Sequence, residues 1–191
     1  LAARALAYPN DVATVDLAVK GFDRERRTTY ADMYGRSRRI ASVLANTYNV
    51  GQGDRVMVAA YNAAGLYEIL FACWRLGAAY MPINWRLAPP EAGVIAADAT
   101  PAVIIADRAF EPLVSGLDLP VWWRDEDSKS NPFEQDIAAA SPWDGFIVPD
   151  LDAITTLLYT SGTTGQPKGV VSTWRMQTMA VNQALHTNLG R

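Results

Sequence analysis

Residues 55–84 read RVMVAAYNAAGLYEILFACWRLGAAYMPIN: an apolar run, a helix-period segment, and a second apolar run. Neither run alternates with polar residues, so both faces of each strand must be covered. Two strands joined through a helix can lie side by side only as a parallel pair, with a right-handed crossover. Asn62 is placed to cap the helix and Gly77 to close it. This unit limits the chain to layered α/β folds.

The flanking sequence repeats the theme. Residues 2–8 predict a helix ended by Pro9, and 12–19 a strand; GFDRERR (21–27) reads as a charged turn. Thr29 and Asp32 form a capping-box-like start for a helix that places Met33, Ser37, Ile40, Ala41, Leu44 and Tyr48 on one face. APPEAGVIAADA is a helix with proline in its first turn, AVIIAD (102–107) a buried strand, and a short helix near 109–116 precedes the strand PVWW (120–123). Residues 125–150 carry acids and three prolines with little periodicity, and predict a loop pinned by Trp143 and Phe146. AITTLLYT (153–160) and GVVST (169–173) are strands, followed by the helix WRMQTMAVNQALH. The expected fold is α/β: a doubly wound, mostly parallel sheet sandwiched by helices. The expected organisation is a sheet-and-helix body over 1–124, a loop over 125–150, and strand, loop, strand and helix over 151–191.

The net charge of −3 gives no global basic excess, which argues against nucleic acid. The arginines at 24, 26, 27, 36, 38 and 39 read as a solvated face. Cys73 is the only cysteine, so no internal disulfide can form, and a reducing, cytoplasmic setting is expected. It sits among apolar neighbours as a packed thiol; His186, the only histidine, reads as exposed or packed. The longest apolar stretch, 63–83, is broken by Glu68 and Arg75, so no transmembrane segment is expected. The acids Asp125, Glu126 and Asp127 read as a solvated run, and no metal ligand is assigned. Trp122 and Trp123 read as core anchors.

One stretch exceeds what folding needs. YTSGTTGQPKG (159–169) joins two strands, and a tight hairpin would need only one or two special residues. Here Gly162, Gly165, Pro167 and Gly169 stand among the hydroxyls of Thr160, Ser161, Thr163 and Thr164, with Lys168 and no acid. Glycines let backbone N–H groups converge on an anion, and hydroxyls and an ammonium add donors. The expected ligand is phosphate. The loop is no Walker A motif, because Lys168 is followed by glycine and a strand rather than Ser or Thr and a helix.

TSGTTGQPKG resembles the phosphate-loop signature of the adenylate-forming, AMP-binding superfamily: acyl-CoA synthetases, luciferases and peptide-synthetase adenylation domains. RRTTYADMYGRSRRIASVL resembles the early helix of these enzymes, and residues 53–91 their first βαβ region. PINWRLAPPE is closer to acyl- and aryl-CoA ligases than to peptide synthetases. The resemblance covers nearly the whole chain. Thr173-Trp174 departs from the family's usual Thr-His, so local packing and acyl entry should differ.

The resemblance implies an ATP-dependent acid–thiol ligase of fatty-acid metabolism, which forms an acyl-adenylate and passes the acyl group to coenzyme A. Lys168, Thr163 and Thr164 would be catalytic. Thr160, Ser161, Gly162, Thr163, Thr164, Gly165, Lys168 and Gly169 would hold ATP. Magnesium would be bound mostly by residues beyond Arg191, where the ribose-binding Asp, most of the acyl pocket and the mobile C-terminal domain of the family also lie. The 191 residues therefore read as an N-terminal portion, inactive alone and prone to self-association into homo-oligomers. The alternatives are a non-catalytic phosphate- or nucleotide-binding module and an adenylation domain that loads a carrier protein.

Overall fold

The computed structural model describes residues 1–17, 25–124, 131–148, 150–160 and 167–189, with side chains to 184. The alternating strands and helices form a six-stranded sheet in the order β6-β5-β3-β4-β7-β8. Its strands are β3 (Arg55–Ala59), β4 (Ala79–Pro82), β5 (Val103–Asp107), β6 (Val121–Arg124), β7 (Ile154–Thr160) and β8 (Lys168–Thr173). All neighbours are parallel except β7 and β8, which form a hairpin. A separate antiparallel ribbon pairs β1 (Val12–Asp16) with β2 (Arg26–Thr29).

Side chains alternate across β3 and divide the core. Val56 and Val58 join Ile40, Leu44, Ile69, Cys73, Trp122 and Phe133 on one face, beneath α2 (Tyr30–Tyr48), α3 (Gly65–Arg75) and α6 (Pro132–Ala139). Met57 and Ala59 join Ile95, Ile104, Phe110 and Leu157 on the other, beneath α4 (Pro89–Ala99) and α5 (Glu111–Val114). The apolar strands are thus covered on both sides, and the fold is a mostly parallel sheet flanked by helices. Two helices complete the chain, α1 (Ala2–Ala7) and α7 (Trp174–Leu189).

Local signals explain several element ends. The Thr29 hydroxyl accepts from the Asp32 N–H and donates to its carboxylate, so Thr29 caps α2, with Asp32 held by a side-chain bond in place of the reciprocal backbone bond of a full capping box. Gly77 takes φ +69°, its N–H reaches the Trp74 carbonyl and the Ala78 N–H reaches that of Cys73, a Schellman end for α3.

Four local expectations are corrected. The charged turn is shorter than 21–27, because Arg26 and Arg27 pair with β1. Asn62 does not cap α3; the helix starts after Ala64, whose N–H is met by the Asp16 carboxylate from β1. The 125–150 stretch is not all loop: Asn131 caps α6 and Pro132 opens it. Trp143 does pin the segment, exchanging backbone and side-chain hydrogen bonds with Arg38, but Phe146 is 62% exposed and does not. Nor are the α2 arginines a bare solvated face. Arg36 bridges Glu68 and Glu134, Arg38 reaches Asp144, and Arg39 donates to the Ala140 carbonyl, so α2 clamps the 131–144 segment. The structure does not describe Arg24, Asp125, Glu126 and Asp127, nor the His186 side chain.

Candidate phosphate-binding site

The glycine-rich stretch sits at the tip of the β7–β8 hairpin. Thr160 and Lys168 are the last pair in its register, and both are exposed. Ser161, Gly162, Thr163, Thr164 and Gly165 lie outside the described residues. Because β7 runs parallel to β4, its loop leaves the sheet at the carboxyl edge, where open α/β sheets bind ligands. Among the described residues no carboxylate pairs with Lys168, so its ammonium remains available to an anion.

The hairpin's other end is fastened to the body. Fully buried Thr155 gives its hydroxyl to the Ser172 carbonyl at 3.0 Å, and its own carbonyl accepts from the Trp74 indole at 3.0 Å. The Trp174 ring rests on Trp74, with centroids 5.1 Å apart. Trp174 is therefore an aromatic prop between α7 and α3. Arg175 forms a forked pair with Asp152 at 2.8 and 2.9 Å.

Nearer the loop, Tyr159 donates its hydroxyl to Asp98 of α4 at 2.5 Å. Burial and then that carboxylate push the phenol up to about 12. The Tyr159 ring lies across Gly169, where an added Cβ would stand 3.3 Å from its Cζ and 3.1 Å from Leu157 Cδ1. A Cβ there would crowd both side chains by a few tenths of an ångström, so Gly169 has a packing role beside the backbone shape its sequence position suggested. Neither Tyr159 nor Asp98 drew attention in the sequence; the available signal was an aromatic residue paired across a hairpin with glycine.

The same carboxyl edge carries further groups that the sequence did not single out. Tyr61, Trp85 and Phe110 form an aromatic cluster with centroids 4.6–5.7 Å apart, and the Arg86 guanidinium lies 4.0 Å over Trp85. Asp107 accepts from the Tyr61 N–H at 2.9 Å and stands 3.3 Å from Arg124. Burial pushes its carboxyl above the ordinary value, against the pull of Arg124 and that N–H.

Other candidates carry less. A groove of about 650 Å³ between β1 and α3 is lined by Thr14, Asp16, Asn62, Leu66, Tyr67 and Tyr80 among others; among the described residues no cation lines it, which suits a phosphate poorly. Cys73 is fully buried, and burial pushes its thiol up, away from nucleophilic reactivity. Trp122 is buried in the core, as its sequence position suggested. Among the described residues no group of three His, Cys, Asp or Glu side chains could hold a metal. No helix among them is long and apolar enough to cross a membrane.

Comparison with known proteins agrees with this geometry. The family model for AMP-binding enzymes matches residues 1–190. A fatty acid–[acyl-carrier-protein] ligase of Streptomyces coeruleorubidus is 30% identical over 158 residues, covering 76% of this chain and 28% of that protein. An indoleacetate–CoA ligase of Aromatoleum aromaticum is 33% identical over 160 residues, covering 77% and 30%. The o-succinylbenzoate coenzyme A synthetase of Bacillus subtilis, solved with AMP, superposes with a TM-score of 0.76 at 26% identity, over 97% of this chain and 45% of that one. The chain thus spans less than a third of the length of the curated relatives it matches. With the sheet, the loop position and the family model in agreement, the chain belongs to the AMP-binding enzyme family.

Proposed function

We propose that this chain supplies the phosphate-binding part of an ATP-dependent acyl-CoA synthetase. The observation that carries the proposal is the position of the loop: a hydroxyl- and glycine-rich turn, closed by exposed Thr160 and Lys168, at the carboxyl edge of a parallel sheet. In the first step a carboxylate oxygen bonds to the α-phosphorus of ATP, the bond to the bridging oxygen breaks, and pyrophosphate leaves. In the second the coenzyme A sulfur bonds to the acyl carbon, AMP departs, and the thiol proton passes to solvent or to AMP.

Charge grows on pyrophosphate during the first step, and donors already in place lower that barrier by electrostatics and positioning. Lys168, Ser161, Thr163 and Thr164 take the β- and γ-phosphates, with Thr160 beside them. Gly162 and Gly165 let the backbone approach, and Gly169 leaves room for Tyr159. Magnesium, when bound, would screen the phosphate charge; among the described residues no group of three His, Cys, Asp or Glu side chains gathers to hold it.

On this reading the reaction draws on further sequence, since these curated relatives devote more than two thirds of their length to residues outside the matched stretch. A cytoplasmic setting suits the single, buried cysteine. A second reading has its own support: one relative is a ligase for an acyl carrier protein, so the acceptor thiol can belong to a carrier rather than to free coenzyme A.

Calorimetric titration of MgATP into the chain, beside Lys168→Ala, tests the loop. Binding in the millimolar range, about −4 kcal/mol, is expected for the unaltered chain and should vanish in the variant. Equal binding by both proteins rejects Lys168 as a phosphate ligand.

A further inference from the structure

The half of the β7–β8 hairpin nearest the loop has little sheet to lean on. Among the described residues β7 is in register with β4 only at Tyr80 and Thr156, and β4 ends at Pro82, which has no N–H to give. From Leu157 to Thr160 the ladder partners are all on β8. A free two-stranded hairpin is marginally stable in water. A loop that must hold phosphates in one geometry therefore needs another brace on this side.

Tyr159 is placed to be that brace. It directly precedes Thr160, crosses the strand over Gly169, and ends on the Asp98 carboxylate of α4. α4 is fixed to the body, since Ala92, Ile95, Ala96 and Ala99 are buried against β3 and β5 side chains. One side chain thus spans both hairpin strands and anchors them to the layer beneath. We propose that Tyr159 and Asp98 are positioning residues that latch the base of the phosphate loop to α4. This rests on the phosphate-loop reading above, and adds to it residues outside the loop on which phosphate affinity depends.

The latch makes a prediction about coupling. Tyr159→Phe keeps the ring over Gly169 and removes only the hydroxyl. Asp98→Leu removes the acceptor, and Asp98→Asn retains an oxygen that can accept. Pyrophosphate binding to the 191-residue chain, followed by calorimetry, should weaken about five- to tenfold in Tyr159→Phe and in Asp98→Leu, the size expected for losing one ordinary, solvent-exposed hydrogen bond. The double variant should be no worse than either single one, and Asp98→Asn should recover most of the affinity. A merely structural role would give additive losses without that recovery.

Amide hydrogen exchange supplies a readout independent of binding. In Tyr159→Phe, exchange should quicken at Lys168, Gly169 and Val170 and stay unchanged at Val56–Ala59. If Tyr159→Phe binds pyrophosphate normally while Lys168→Ala does not, the phosphate reading stands and the latch falls. If the unaltered chain does not bind pyrophosphate, the phosphate reading fails for this chain, and the proposal that the latch sets phosphate affinity falls with it. Exchange then decides whether the brace exists at all: unchanged rates at Lys168–Val170 remove it.

Discussion

Arg36 pulls two carboxylates down, yet burial leaves them on opposite sides of their ordinary value. It donates to Glu68 from Nε at 2.8 Å and to Glu134 from both terminal nitrogens at 2.8 and 2.9 Å. Glu68 is 2% exposed, and burial holds its carboxyl above the ordinary 4.5 despite Arg36. The Glu134 side chain is 45% exposed, and there the hydrogen bonds from Arg36 dominate and pull the carboxyl down. The lowered value means that Glu134 stabilises the fold above 4.5, and that this contribution is lost as pH falls through the folded value. The raised value of Glu68 works the other way: its ionisation weakens the fold as pH climbs above 4.5 through the folded value. Glu134→Gln should therefore flatten the acid limb of the urea-midpoint profile, at a cost near neutrality of about 0.5 kcal/mol because solvent screens the pair. Arg36→Met should cost about 3–5 kcal/mol by stranding buried Glu68. Urea midpoints measured from pH 3 to 7 check both, and an Arg36→Met midpoint equal to the parent's would show that Glu68 is not held by that pair. The sequence displayed a lone acid in an apolar helix. It could not display the partners, because Arg36 and Glu134 lie far from Glu68 along the chain and meet only when α2, α3 and α6 pack.

At the scale of elements, legibility followed the strength of the periodic signal. The strands β3, β5 and β7 were readable because their apolar runs are bounded by polar or turn residues, and α2 because its cap and its buried face agree. The helix α6 was missed even though Asn131-Pro132 is an adequate start signal, because eight residues hold too little periodicity to outweigh the prolines and acids around them. The cap of α3 was misplaced because its acceptor comes from Asp16 on β1, a partner no local window contains. The hairpin was legible as two strands, whereas its fastening was not: Trp74, Thr155 and Trp174 are distant in sequence and meet through ring contact and one indole hydrogen bond. Trp174→Ala removes the prop while leaving the indole bond of Trp74 in place. For a half-buried tryptophan the loss should be about 2 kcal/mol, below the range for fully buried aromatic residues. Thermal unfolding measures it, and a melting temperature unchanged by the substitution would reduce Trp174 to a surface residue.

For the molecule as a whole, the sequence implied a covered parallel sheet but not the strand order, which depends on where each crossover returns. Nor could it show how unevenly the chain would be covered. The body buries its apolar residues on both faces of the sheet, whereas the segment from 146 onward leaves many in water: Val148 is 84% exposed, Met179 65%, Val181 58%, Met176 55% and Val170 50%. α7 contains no buried residue among its described side chains. A helix of this length is marginal in water without a face to pack, and contiguous apolar surface favours association. The 191-residue chain should therefore self-associate as its concentration rises, and the amides of α7 should gain exchange protection in step with the mass of the assembly. Sedimentation velocity over a hundredfold range of concentration, paired with hydrogen exchange, reads both. Replacing Val170 and Met179 with lysine should return the chain to a monomer and leave α7 fast-exchanging, while β3 and β5 keep their protection. A monomer at every concentration, with α7 already protected, would mean that the helix holds itself against β8 and that the exposed residues attract no second copy.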